Sequence, residues 1–232
     1  MLPRLLKEIF EQESDVEVWV VDDNSPDGTA AAVEELMQRF EHLHLISRAC
    51  RQGRGAAVID AFGRLLKLPE PPDLIVEMDG DGSHEATSLT PILAAAADAD
   101  VVIGSRFIAG GAADLSGKRR LLSWLAKRFA ATVLGLPYSD CSTGYRCYRR
   151  QALGAVDLDA VRSGGHATHL ELLFRLHRLG LDIAEVPIHY RARAGGDSKV
   201  TSRETLRVAW VLLRMRLAAG KAVAPESASR GQ

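Results

Sequence analysis

The sequence is poor in cysteine, has no long apolar run and carries almost no net charge, and each absence removes a class of protein. Three cysteines, Cys50, Cys141 and Cys147, make an odd number without C-x-x-C spacing, which argues against a disulfide scaffold or zinc site and for reduced thiols in a cytosolic compartment. Cys141 and Cys147 read as small packing residues. No stretch approaches the roughly eighteen consecutive apolar residues of a membrane span, and the N-terminus lacks a signal-peptide pattern, so the chain is expected to be soluble or peripheral. A net charge of −1 argues against a dedicated nucleic-acid binder, whose affinity rests on a basic excess. What is present is enough apolar material, 47% of 232 residues, to bury one sizeable core, which fits one α/β domain better than two.

Apolar periodicity alternates between helix and strand. Leu2, Leu5, Leu6, Ile9 and Phe10 fall at helical spacing, and the β-branched run 16–21 ends in the turn formers 22–29. A helix over 29–40, a strand over 43–47, a helix over 55–68, a strand over 73–78, a helix over 86–97 and a strand over 100–104 follow. Strands alternating with helices imply parallel βαβ units. The second half is less regular, with helices expected over 118–136, 167–179 and 201–219 and strands over 144–149 and 183–190. Pro187 confines the last strand to an edge or an end. The stretch 220–232, rich in Ala, Ser, Gly and Pro, is expected to be disordered.

The chemistry concentrates in EMDGDGSH at 77–84, where Asp79 and Asp81 stand two apart just past an apolar strand, with Gly80 and Gly82 keeping the backbone open. Two hard oxygen ligands suit Mg²⁺ or Mn²⁺ shared with substrate phosphates, although Asp and Gly also build ordinary turns. The strand-end position favours the ligand reading, because open α/β sheets bind ligands outside the carboxyl ends of their strands. Asp22 and Asp23 end an earlier strand and can accept nucleobase N–H groups or form an Asx-turn. Arg48 and the Gly53-Arg54-Gly55 loop precede a helix whose N-terminus suits an anion, with a plain cap as the equal alternative. Arg106 follows the strand at 100–104 and can reach a phosphate bidentately. Asp140, Thr143, Gly144 and Arg146 are expected along the same rim, and Arg149 and Arg150 as a solvated pair. His84 reads as a hydrogen-bonding bystander. Leu206, Trp210, Leu213 and Leu217 with nearby arginines suit either an anionic interface or the core.

VDDNSPDGT at 21–29, RACRQGRGAA at 48–57, EMDGDGSH at 77–84, GSRF at 104–107, DCSTGYRCYRR at 140–150 and RAGGDSK at 193–199 occur in the order seen in dolichol-phosphate mannose synthases, which this chain resembles from Leu2 to about 219. These are inverting family 2 glycosyltransferases of the GT-A fold, a mainly parallel central sheet flanked by helices. The resemblance implies transfer of mannose from GDP-mannose to a polyprenyl phosphate, by a cytoplasmic protein peripheral to the membrane surface, with room for a membrane-anchored partner. It implies a nucleotide site at Asp22, Asp23, Arg48, Gly53, Gly55 and Asp79, and a metal site at Asp79, Asp81 and Ser83. Arg119, Ser123, Arg193 and Lys199 would hold the acceptor phosphate, with a solvated basic face as the alternative. Asp81, Arg106, Arg193 and Lys199 would serve catalysis.

Two departures stand out. In SGGHATHLELL at 163–173, His166, Thr168 and His169 replace expected aromatic and glutamine positions, which bears on the sugar or lipid. The family's first strand, ending Pro-Thr-Tyr-Asn-Glu, has no counterpart before Leu2. Two inward ladder edges are therefore expected to lack a partner, the 1–219 domain to be truncated at its front, and the true start to lie upstream of Met1. A transferase for another sugar or acceptor, and an inactive binding protein, are the alternative readings.

Overall fold

The computed structural model describes residues 1–114, 117–165, 167–191 and 216, with backbone alone at 118–123, 126 and 130. The opening helix α1, Leu2–Gln12, carries Pro3 in its first turn, where a missing N–H costs nothing, and buries Leu5, Leu6 and Ile9 on one face. The strands β1, Val18–Asp22, and β2, Leu43–Ser47, flank helix α2, Thr29–Met37, and pair in parallel with Val18 opposite Leu43. After helix α3, Arg54–Leu65, comes strand β3, Leu74–Glu77; a 3₁₀ turn at Ala86–Ser88 and helix α4, Leu89–Ala95, then lead to strand β4, Val101–Ser105.

The second half supplies a short strand β5, Ala112–Ala113, the long helix α5, Gly117–Leu134, and strand β6, Arg146–Arg149. A short helix α6, Arg150–Gly154, which the sequence pattern does not signal, precedes helix α7, Ala167–Arg178. Strand β7, Ile183–Pro187, stops at its proline, and β8, His189–Tyr190, pairs with β5. The helix expected over 201–219 and the tail after it lie outside the described residues.

The larger sheet runs β3-β6-β4-β7. Its β4 and β7 are parallel as the alternation implies, but β6 runs antiparallel between β3 and β4, so the sheet is mixed. The reason is the long excursion through α5, which brings the chain back to the carboxyl ends of β3 and β4 and lets it run down between them. All five β4 residues are buried, as befits a central strand.

Among the described residues β1 bonds only to β2 and β3 only to β6, so each has one open ladder edge. Side chains bridge the two sheets. Leu5 and Ile9 of α1 gather Val18 of β1 and Val76 of β3 on one face, while Trp19 and Ile75 join the cluster around Phe62, Leu65 and Tyr148 on the other.

The pair Arg149 and Arg150 separates. Arg149 is not a solvated residue: it donates to the carbonyls of Ala96, Ala97 and Ala99 at 2.5, 2.6 and 3.0 Å, satisfying backbone acceptors past the end of α4. Arg150 pairs with Asp73 at 3.0 Å on the surface.

Candidate active site at the carboxyl ends of the strands

The loops after β1, β2 and β3 are tied together by charge. The Asp23 carboxylate accepts from Arg48 and from the N–H groups of Gln52 and Gly53, the latter at 2.6 Å. The anion at the N-terminus of α3 is thus the protein's own Asp23, the helix-cap alternative for this loop. The helix end and the guanidinium attract the nearest negative charge, and Asp23 is within reach. Asp22 is buried beside it and accepts from the N–H of Ser25 at 3.1 Å.

Gly53 has φ 89°, a left-handed value that favours glycine. Gly55 is needed for another reason. A Cβ there would overlap the Thr168 hydroxyl and lie 3.0 Å from the Gly165 amide, so this glycine lets α3 approach the start of α7. Gly55→Ala is expected to cost about 1–3 kcal/mol through overpacking, with partial recovery when Thr168→Ala is added. Thermal melts check this, and an unchanged melting temperature in Gly55→Ala would refute the close contact.

After β3, Asp79 is mostly buried and pairs with Arg54 at 2.5 Å. Its N–H donates to Nδ1 of His84 at 3.0 Å, which orients that ring. His84 is sandwiched against Tyr145, with ring centroids 4.9 Å apart, and its burial lowers its pKa against the pull of Asp79. Asp81 accepts both the N–H and the hydroxyl of Ser83, at 3.0 and 2.6 Å. Ser83 is buried, and its N–H and hydroxyl orient Asp81 through a local turn. Among the described residues no group of three or more His, Cys, Asp or Glu could hold a metal. Asp79 and Asp81 stand two positions apart on this loop, Asp79 against Arg54 and Asp81 against Ser83.

Arg106 follows β4 and is spent on Asp140. Its Nε and Nη2 reach the two carboxylate oxygens at 2.6 and 2.8 Å, and Nη2 also meets Ser142 Oγ at 2.7 Å. The bidentate partner expected for Arg106 is therefore a carboxylate of the chain. Arg146 is fully buried, not on the rim, and clamps the carbonyls of Cys141 and His169 at 2.7 Å each. Arg119 and Ser123 lie on α5 with side chains outside the described residues, and Arg193 and Lys199 lie outside them altogether.

The sequence matches the family described as "Glycosyl transferase family 2" over residues 1–156. It is also 36% identical over 228 residues to the undecaprenyl-phosphate mannosyltransferase of Micrococcus luteus, with 93% of each chain covered. The chain belongs to glycosyl transferase family 2. A second relative of the transferase is the polyprenol monophosphomannose synthase of Mycolicibacterium smegmatis, 36% identical over 86% of this chain and 76% of that one. Among solved structures it is similar to glucosyl-3-phosphoglycerate synthase from Mycobacterium tuberculosis, in complex with Mn²⁺, UDP-glucose and phosphoglyceric acid. That likeness has a TM-score of 0.65 and 18% identity, covers 92% of this chain and 75% of that one, and establishes the GT-A fold.

The cluster that sequence reasoning did not bring together in the transferase is Arg54, Glu77 and His169. Glu77 ends β3 two positions before Asp79, lies 3.2 Å from Arg54 Nη2 and 2.6 Å from Nε2 of His169, and is buried. Burial raises the pKa of Glu77, but His169, Arg54 and Arg146 outweigh it and hold the carboxyl below its ordinary range. The one available signal was an acidic residue at an otherwise apolar strand end, in phase with Asp79.

Proposed function

We propose that this chain transfers mannose, with inversion, from GDP-mannose to a polyprenyl phosphate at a membrane surface. The observation that carries the reading is 36% identity across 93% of a relative named for that acceptor class and sugar. The Asp79–Asp81 pair at a strand end supports it. The donor set fits Mg²⁺ or Mn²⁺: two hard oxygens on one loop leave the other positions to waters and phosphate oxygens. Asp79 and Asp81 would hold the ion, which when bound supplies charge neutralisation for the departing diphosphate.

The chain's own residues do the rest. Asp22, at the end of β1, is the carboxylate we assign to the nucleobase, because Asp23 is committed to the loop with Arg48 and Gly53. Arg106 holds the turn 140–143 in place through Asp140 and keeps the rim of the site fixed. Arg119, Ser123, Arg193 and Lys199 are assigned to the acceptor phosphate. A phosphate monoester is largely ionised near neutral pH, with a second pKa of about 6. Its oxygen needs no protein base, and catalysis rests on orientation and electrostatic stabilisation.

Helix α5 supports the peripheral reading. Trp124, Leu125 and Phe129 are exposed on it, with Arg128 5.6 Å from the Trp124 ring and Lys127 beside them. Exposed aromatics interleaved with basic residues suit an anionic interface. Among the described residues no helix is long and apolar enough to cross a membrane.

The experiment is a turnover assay with GDP-mannose and a polyprenyl phosphate in anionic vesicles, with sedimentation of the same vesicles. Mannosyl-phosphate lipid and vesicle-bound protein are expected. Product with another nucleotide sugar alone would reassign the donor, absence of product with all of them would refute the transfer, and full recovery in the supernatant at low salt would refute membrane binding.

A further inference from the structure

Arg54 has no part in the reading above, yet it sits against the first carboxylate of that reading. It leaves the first turn of α3 and passes over Gly144, where a Cβ would lie 2.9 Å from Arg54 Cζ and 3.0 Å from His169 Nε2. Its Nη2 then stands 2.5 Å from Asp79 Oδ1 and 3.2 Å from Glu77 Oε1. Behind it, Glu77 and His169 pair at 2.6 Å, with side chains only 7% and 1% exposed. The Arg54 side chain is 29% exposed, so of the three it alone has a way out to solvent.

One guanidinium thus neutralises Asp79 while standing on one of its two carboxylate oxygens. A divalent ion arriving alone must displace Arg54 or bear its repulsion, and either weakens binding. An ion arriving with a diphosphate brings negative charge that can take over the displaced guanidinium. We propose that Arg54 is the resident counter-ion of Asp79 and that it couples cation binding to diphosphate binding, a positioning role for the donor site. The proposal rests on the reading of Asp79 as a metal ligand.

The test is titration of Mn²⁺ alone, and of Mn²⁺ with GDP, followed by the electron paramagnetic resonance signal of free Mn²⁺. Wild type, Arg54→Ala, Arg54→Met, Arg54→Lys and Asp79→Asn are compared. Arg54→Ala is expected to bind Mn²⁺ alone on the order of tenfold more tightly, and to lose a similar factor of the mutual enhancement between Mn²⁺ and GDP. Arg54→Lys should return toward wild type, because it restores the charge. Arg54→Met keeps the stem over Gly144 and should behave like Arg54→Ala even if the alanine protein folds poorly.

A merely structural Arg54 would leave Mn²⁺ binding unchanged or weaker in both neutral variants, and that result overturns the proposal. Loss of binding in Asp79→Asn without any gain in the neutral Arg54 variants refutes the counter-ion role alone. Mn²⁺ binding that survives Asp79→Asn refutes the metal reading beneath it, and no binding in any protein removes both.

Discussion

Asp81→Asn is expected to lower turnover by about 10³-fold while leaving the melting temperature within about 2 °C of wild type. The size follows from loosening the ion that Asp81 would hold at the leaving group, since losing one preorganised electrostatic contact there typically costs about 10²–10³. The intact fold follows from the local geometry. Asp81 is held by the Ser83 N–H and hydroxyl, both on Oδ1, and the amide oxygen of Asn can accept the same two bonds. Turnover is measured with saturating Mn²⁺ and short polyprenyl phosphate, alongside a thermal melt. Equal activity in the two proteins would remove Asp81 from the metal site.

Asp140→Ala should be strongly destabilising. The carboxylate is buried and accepts Arg106 through Nε, Nη2 and the backbone N–H, together with the amides of Ser142 and Thr143. Removing it leaves a mostly buried guanidinium unpaired, at about 3–5 kcal/mol, or a melting-temperature drop of roughly 6–20 °C for a chain of this size. The pair also sets a pH dependence. Burial raises the pKa of Asp140, but the Arg106 bond and charge outweigh it and bring the value below the ordinary one. A depressed folded value gives stability that is fully present above the unfolded pKa, about 3.9, and is lost as pH falls through the folded value. The wild type should therefore lose stability below about pH 4. Glu77 and Glu171 are shifted in the same direction and add to that loss. Asp140→Asn should show a lower neutral plateau and a shallower acid limb. A variant with wild-type stability from pH 7 to pH 3 would contradict this account.

The sequence alone determined the order of elements, because its signals are local. The β-branched run that becomes β1, the strand 43–47 and the turn formers between them need only neighbours two to four positions away, and their boundaries fall within a few residues of those observed. It also placed Asp79 and Asp81 at a strand end, since an apolar run followed by Asp and Gly reports its own termination. Family membership was visible for the same reason, in six motifs that are each contiguous.

Tertiary structure decided which charges those motifs leave for a ligand. Asp23 and Gly53 are 30 residues apart and bond to each other, Arg106 and Asp140 are 34 apart, and Glu77 and His169 are 92 apart. The antiparallel entry of β6 between β3 and β4 was equally out of reach, because it depends on where a long excursion returns and not on the strand's own residues. A carboxylate or guanidinium shows its type in sequence but not its partner. In a buried rim the partner is whichever opposite charge the packing brings within about 3 Å, since leaving either one alone costs several kcal/mol.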